Sequence, residues 1–94
     1  MSINLTSNIQ KNPDINYTTV DNDIIIMSPN DHGYYRLNAV GVKIWDLIEA
    51  NPLSLESIVE ILQSTYKISK EQAFQDTNKF IETMVSKNIF CVAG

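Results

Sequence analysis

The 94-residue sequence contains one cysteine, one histidine, three prolines and three glycines. A lone Cys91 excludes a disulfide framework and a zinc site made of cysteines. Three glycines are too few for a glycine-rich phosphate-binding loop. No apolar run approaches the ~20 residues that a membrane-spanning helix needs. These scarcities disfavour disulfide-rich, cysteine–zinc, nucleotide-binding and membrane-spanning classes of protein.

Positive charge is scarce as well. Lys and Arg total 7 against 11 Asp and Glu, the net charge is −4, and Arg36 is the only arginine. Proteins that bind nucleic acid usually neutralise phosphates with a stripe of Lys and Arg, and no such stripe is present. The N-terminus lacks the basic region and apolar run of a signal peptide. We therefore expect a cytoplasmic protein with neither nucleic acid nor membrane as a partner.

Residues that carry catalysis are few and poorly placed. His32 lies in a turn-like Pro-Asn-Asp-His-Gly segment without an evident serine or cysteine nucleophile, so an exposed turn histidine is the simpler interpretation. Cys91 lies in an apolar run, which is typical of a buried, inert thiol. Asp21 and Asp23 resemble the start of a calcium loop, but the glycine and bidentate glutamate of that loop are missing. We therefore predict a binding protein, not an enzyme, with no metal and no cofactor.

Length and composition predict one domain. A chain of 94 residues with 44% hydrophobic and 19% charged residues is sufficient for one modest core. We predict a single domain over residues 1–94. Residues 1–12 are polar with scattered Ile and Leu, and we expect this stretch to be flexible, chiefly at its start.

Three short segments have the composition of β-strands. Residues 15–20 and 34–37 are rich in β-branched and aromatic side chains, and residues 24–27 form a short apolar run. Residues 21–23 and 28–33, which separate them, are turn sequences. Two successive hairpins predict a three-stranded antiparallel meander. Its middle strand is expected to be centrally paired or buried on both faces.

The apolar period changes to that of a helix at Asn38, which is a good N-cap. A first helix carries apolar residues at helical spacing and ends before the Asn51-Pro52 pair, because a residue before proline avoids the helical region. Ser54 caps a second helix, and Ser69 opens a third helix with a Ser-x-x-Gln capping box. Asn88 is suited to the C-terminal cap of the third helix.

Gly41 lies inside the first helix, where glycine costs about 1 kcal/mol relative to alanine. We therefore expect it to allow a close approach to the sheet. Three strands followed by three helices predict an α+β fold of winged-helix type, in which three helices cover one face of a small sheet.

Two features of this predicted fold suit binding. The strand at residues 34–37 is the last of the meander, so its edge either is merely protected by its shortness and by Arg36 or accepts an incoming peptide strand. The third helix has two apolar rows, of which both are buried or one lines a groove beside the edge strand. The rows are Ala73, Thr77, Phe80 and Met84, and Phe74, Ile81 and Val85.

A set of residues spread over about residues 15–91 indicates a family. They are Tyr35-Arg36-Leu37-Asn38, Gly41, Ile44, Trp45, Leu47, Leu62, Tyr66, Asp76, Phe80, Ile81, Met84, Ile89 and Phe90. In these residues the chain resembles PqqD-family domains, also called RiPP recognition elements, which bind the leader peptides of ribosomally made, modified peptides. Asn88 departs from the family, in which glycine is common at that position, and a left-handed cap accounts for the difference.

The resemblance implies a binding mode. A leader peptide adds as an antiparallel strand to the third strand, and its side chains enter the groove between that strand and the third helix. The row with Asp76 is preferred for the groove because Asp76 is among the residues that carry the resemblance. If the N–H groups of the strand face the guest, Tyr35→Pro abolishes binding. The peptide-binding residues implied are Tyr34, Tyr35, Arg36, Leu37, Ala73, Asp76, Thr77, Phe80 and Met84.

The implied function is that of a stand-alone chaperone without a cofactor. It presents the precursor peptide to a separate maturation enzyme, namely the leader protease of a lasso-peptide pathway, which has a transglutaminase-like fold. One alternative is a PqqD-like partner of a radical SAM enzyme. Another is a winged-helix protein that binds nucleic acid, which needs a basic third helix. Here the basic residues of that helix are offset by acidic ones: Lys70, Lys79 and Lys87 against Glu71, Asp76 and Glu82.

Overall fold

The structure is a computed structural model that describes residues 5–29 and 33–93, so His32 and the centre of the second predicted turn lie outside the described residues. The described part contains six strands and three helices, in an α+β arrangement. They are β1 (Asn8–Lys11), β2 (Asn16–Val20), β3 (Asp23–Met27), β4 (Tyr34–Arg36), α1 (Ala39–Ala50), β5 (Leu53–Ser54), α2 (Leu55–Tyr66), α3 (Lys70–Ser86) and β6 (Phe90–Ala93).

The predicted meander is confirmed, since β2, β3 and β4 form an antiparallel sheet in that order. β3 is central, and its side chains alternate: Ile24 and Ile26 are buried, whereas Ile25 is half-buried and Met27 exposed. Of the two alternatives for this strand, central pairing is confirmed and burial on both faces is wrong, since only one face is buried. Asp21 between β2 and β3 has a left-handed φ of 56°, which aspartate tolerates well.

Each helix begins at its predicted cap. Side-chain oxygens of Asn38, Ser54 and Ser69 accept hydrogen bonds from the backbone N–H three residues later, at 2.8, 3.1 and 3.1 Å. In a complete capping box the Gln72 side chain would also accept a hydrogen bond from the Ser69 N–H. Here the Gln72 side-chain amide instead donates to the Asp76 carboxylate, at 2.9 and 3.0 Å. Within the described ranges, no helix is both long and apolar enough to cross a membrane.

The C-terminus of α3 is closed by a Schellman motif, which confirms the predicted role of Asn88. Asn88 has a left-handed φ of 60°, and its N–H donates to the Val85 carbonyl at 3.0 Å. The next N–H, that of Ile89, donates to the Met84 carbonyl at 2.9 Å. Ile89 and Met84 are both fully buried in the core, as is usual for the two apolar positions of this motif.

A second sheet was not predicted. β1 lies between β5 and β6 and is antiparallel to both, with Asn8 opposite Ala93 and Lys11 opposite Phe90. Within the stretch expected to be flexible, residues 8–11 form β1, and Ile9 is fully buried, which the sequence did not indicate. The reason is that β1 is held by strands distant in sequence, which no local pattern at the N-terminus reveals.

Trp45 of α1 joins the two sheets. It is fully buried, and its ring lies 4.9 Å from that of Tyr17 in β2 and 6.0 Å from that of Phe90 in β6. Lys11 Nζ lies 5.1 Å from the Trp45 ring centroid, 5.0 Å from that of Tyr17, and 3.7 Å from the Glu49 carboxylate. One indole ring therefore contacts aromatic side chains of both sheets.

Candidate functional site

The backbone of β4 has one side bonded to β3 and one side open. The Gly33 carbonyl accepts from the Ser28 N–H at 2.8 Å, and the Leu37 N–H donates to the Ile24 carbonyl at 3.0 Å. Residues along an antiparallel strand alternate between bonding their neighbour and facing away from it. Tyr35, midway between Gly33 and Leu37, therefore also bonds to β3.

Tyr34 and Arg36 alternate along β4 with the residues that bond to β3, so their N–H and C=O groups face the open side of the sheet. β4 is an edge strand, and no residue of the described ranges pairs with these four groups. Asn38 is the next outward-facing position after Arg36, and its backbone is still extended (φ −79°, ψ −179°). Its N–H therefore adds one more donor to the open edge. Successive outward positions are about 6.8 Å apart, as in any antiparallel strand. The open edge therefore matches the backbone of one short extended peptide.

The side chains of β4 divide between two faces. Tyr34 is 74% exposed, and Arg36 pairs with the Asp23 carboxylate on the same outer face of the sheet. Tyr35 and Leu37 point the other way, and Leu37 is buried in the core. Of the four strand residues predicted for the site, Leu37 thus has its N–H bonded to β3 and its side chain buried.

A groove of about 330 Å³ lies between α3 and the junction of β4 with α1. It brings together three of the predicted residues, Tyr35, Asp76 and Phe80. The unpredicted Lys79 and Thr83 follow Asp76 at helical spacing on the same face, so periodicity indicates them once Asp76 is placed. The complete lining is Tyr35, Asn38, Val40, Asp76, Lys79, Phe80 and Thr83.

Most of the preferred apolar row of α3 is buried, and so is Ile81 of the other row, because this helix packs against α2 on one side and β6 on another. Ala73, Thr77 and Met84 from the preferred row are at most 1% exposed, and Ile81 from the other row is fully buried. Met84 therefore presents no surface to a peptide in this structure. Among the apolar residues of the preferred row, only Phe80 is part-exposed and lines the groove.

The Phe80 wall of the groove is fixed from two sides. The Phe80 ring lies 5.9 Å from the Phe90 ring at an interplanar angle of 73°. A Cβ added to Gly41 would lie 3.2 Å from Phe80 Cε1 and Cζ, and 3.3 Å from Leu37 Cβ. Gly41 does allow a close approach, but the expected partner, the sheet, is wrong, since the nearest atoms belong to the Phe80 ring of α3. The groove is therefore preformed.

The polar groups of the groove are also held in place. Asp76 is exposed and accepts both hydrogen bonds of the Gln72 amide, and Thr83 Oγ1 donates to the Lys79 carbonyl at 2.9 Å. Lys87 Nζ lies 5.8 Å from the Tyr35 ring centroid.

In the described ranges, no three His, Cys, Asp or Glu side chains come together in a way that could hold a metal ion. The arrangement is that of a binding groove beside a strand edge.

A wider, mostly apolar pocket of about 460 Å³ lies on another part of the surface, between α2 and the start of α3. None of the predicted site residues lines it, and it does not adjoin β4. Its lining is Leu5, Glu56, Val59, Lys70, Glu71 and Phe74. Volume alone therefore does not locate the candidate site, which is distinguished by its open strand edge.

Comparison with known families agrees with this geometry. Residues 23–89 match the model of the family described as coenzyme PQQ synthesis protein D (PqqD). The chain belongs to the PqqD family. The matched residues extend from β3 to the end of α3, so the region that defines this PqqD-family protein contains both the edge strand and the groove. The family indicated by the sequence resemblance is thereby confirmed.

One solved structure with the same fold is that of TbiB1 in complex with the TbiA(beta) leader peptide. Its TM-score to this PqqD-family protein is 0.74, with 21% sequence identity, over 90% of this chain and 95% of that chain. At this identity the likeness establishes the fold alone. Among curated protein sequences, none gives a significant match.

Proposed function

We propose that this protein binds the leader segment of a ribosomally made precursor peptide as an added antiparallel strand on β4. The observation that carries the proposal is the row of outward N–H and C=O groups of Tyr34 and Arg36 beside the preformed groove. A guest strand pairs with these groups, and its alternate side chains enter the groove. TbiB1, which has the same fold, binds a leader peptide, and this supports the proposal.

The energetics allow such binding. Four backbone hydrogen bonds contribute about 0.5–1.5 kcal/mol each, and two apolar side chains buried in the groove about 1.5–3 kcal/mol each. Association and ordering cost roughly 4–15 kcal/mol, and the lower part of that range applies to a preformed site. The fixed Phe80 ring keeps the protein's share of the ordering cost small. The upper end of these contributions, set against the lowest association cost, leaves about 8 kcal/mol, which corresponds to a dissociation constant on the order of micromolar.

In this proposal the protein has no catalytic step of its own and needs no cofactor. It presents the precursor to a separate maturation enzyme in the cytoplasm, and the partner we propose is the leader protease of a lasso-peptide pathway. The match to a coenzyme-synthesis family favours one alternative partner, a radical SAM enzyme. A nucleic-acid-binding role is disfavoured because Asp76 offsets Lys79 within the groove.

The proposal is tested by calorimetric titration with the leader segment of the precursor peptide encoded beside the gene for this chain. A scrambled leader of the same composition is the control. Micromolar binding of the native leader alone supports the proposal, and the absence of binding by the folded protein contradicts it. Pull-down of the protease or the radical SAM enzyme encoded nearby, each with and without the leader, then separates the two candidate partners.

Gly41→Ala is expected to weaken leader binding about fivefold while changing the free energy of unfolding by less than about 1 kcal/mol. The new methyl group lies 3.2 Å from the Phe80 ring and displaces it along the groove. The gain in helix propensity, about 1 kcal/mol, offsets much of the crowding. Calorimetry and urea denaturation measure the two effects. Asp46→Ala, at an exposed position of α1, is the control, and unchanged affinity in Gly41→Ala means that the guest does not contact Phe80.

Asp76→Ala is expected to weaken leader binding by roughly fivefold without unfolding the domain, because it removes the carboxylate of the groove and releases Gln72. The matched control is Glu82→Ala. Glu82 is another exposed carboxylate of α3 that accepts from the residue four positions earlier, Asn78, at 2.7 Å, but it does not line the groove. Equal effects of the two variants would mean that Asp76 acts through net charge and not through contact with the guest.

A further inference from the structure

Helix α3 runs along the groove in the direction opposite to the chain from β4 into α1. Lys87, at the end of α3, lies beside Tyr35, with its Nζ 5.8 Å from the ring centroid. Phe80, two turns earlier, faces Gly41 at the start of α1. Asp76 is one turn further back and also lines the groove. These contacts order three positions along the groove, from Lys87 at the Tyr35 end through Phe80 to Asp76.

The charge of this helix face changes sign along the groove. The exposed Asp76 carboxylate lies toward one end, and the Lys79 and Lys87 ammonium groups follow toward the other. Within the described ranges, none of these three groups forms an ion pair with another side chain. Asp76 accepts hydrogen bonds from the neutral Gln72 amide instead. All three charges are therefore available to a bound peptide.

An antiparallel guest strand on β4 determines which of its side chains meet these charges. Residues directly opposite each other in an antiparallel pair project to the same face of the sheet. The guest residue opposite Tyr35 therefore points to the groove side, as do the guest residues two and four positions before it. Four strand positions span about 14 Å, and the helical rise from Asp76 to Lys87 is about 16 Å. The three inward side chains of the guest thus match the three ordered positions of α3.

We propose that this change of sign makes the groove specific for a peptide with a basic, an apolar and an acidic side chain at every second position, in that order. The acidic residue lies opposite Tyr35 and pairs with Lys87, the apolar residue packs on Phe80, and the basic residue meets Asp76. The inference rests on the proposed function, because the guest must first be held on β4 as an antiparallel strand.

The two charged ends also select the direction of the guest. The same peptide bound parallel to β4 would place its acidic residue at Asp76 and its basic residue at Lys87, and both contacts would be repulsive. Exposed ion pairs contribute little affinity, whereas complementary charges discriminate between partners and fix their register. The apolar residue therefore supplies affinity, and the two pairs supply selectivity.

The test uses two blocked peptides of identical composition, acetyl-Thr-Lys-Thr-Leu-Thr-Glu-Thr-amide and the same peptide with Lys and Glu exchanged. NMR titration of the intact protein is expected to shift the amides of Tyr34, Arg36 and Asn38, with the first peptide binding about fivefold more tightly than the second. Salt at about 1 M is expected to remove most of this preference, because the Debye length is then about 3 Å.

Lys87→Gln is expected to reduce the preference to about twofold, because one of the two ion pairs is lost. The matched control is Lys70→Gln, which removes the same charge from an exposed lysine of α3 outside the groove and keeps the fivefold preference. Circular dichroism checks that both variants fold.

Equal affinity for the two peptides, a preference that persists in high salt, or equal effects of the two variants overturns the charge pattern. So does the absence of shifts at β4 with either peptide. A preference of the expected size without calorimetric binding of the native leader would count against the proposed function alone. Leader binding without that preference would count against the charge pattern alone.

Discussion

Arg36→Pro is expected to weaken leader binding by at least about tenfold and to leave the domain folded. The Arg36 N–H faces the open side of β4, so proline there removes a donor for the guest and places its ring in the path of the added strand. No bond to β3 is lost, because the Arg36 N–H does not face that strand. Proline is tolerated at an edge position whose N–H faces solvent. Calorimetry with the leader and far-UV circular dichroism measure the two parts of this expectation.

Two companion variants make the result specific. Arg36→Ala removes the exposed ion pair with Asp23 but keeps the N–H group, so we expect leader affinity within about twofold of wild type. Tyr35→Pro is expected to disrupt the meander, since the Tyr35 N–H belongs to the bonded side facing β3. If Arg36→Pro bound the leader as well as wild type does, the guest would not pair with β4.

Trp45→Ala is expected to lower the free energy of unfolding by about 3–5 kcal/mol, a large part of the 5–15 kcal/mol typical of a small domain. The indole is fully buried between Tyr17 of one sheet and Phe90 of the other, so its removal leaves a cavity where the two sheets meet. Urea denaturation followed by circular dichroism is the measurement, because Trp45 is the only tryptophan and its fluorescence is lost in the variant.

Trp45→Phe retains an aromatic ring at this position and is expected to cost less than half as much as the alanine variant. Tyr66→Ala is the control for loss of an aromatic ring outside the core, since Tyr66 is 41% exposed, and we expect it to cost no more than about 1 kcal/mol. A loss of under about 1 kcal/mol in Trp45→Ala would contradict the role of Trp45 in joining the sheets.

The elements that the sequence predicted correctly are those with local causes. Asn38, Ser54 and Ser69 cap helices because their side chains reach a backbone N–H three residues away. Asp21 and Asn88 adopt left-handed backbone conformations that their short polar side chains tolerate. These preferences act within about five residues, so the order of three strands and three helices follows from the sequence.

The candidate site was predicted only in part. The family resemblance indicated the strand and helix that form it, and Tyr35, Asp76 and Phe80 do lie together at the groove. The periodicity of α3 could not show which apolar residues face outward, because two other elements cover this helix. Ala73, Thr77 and Met84 have the same pattern as Phe80 in sequence, yet they are buried. Their roles in peptide binding stay predictions.

By itself, the sequence determined the helix caps, the turn between β2 and β3, the order of the meander and the family. The tertiary structure alone decided that β1 pairs with β6 over more than eighty residues of chain, with Asn8 opposite Ala93. It also decided that Tyr34 and Arg36, and not Tyr35, present their backbone to the open edge. Caps and turns depend on neighbours in the chain. Strand register and burial depend on which distant residues meet, and a one-residue shift in register exchanges the bonded and open sides of a strand.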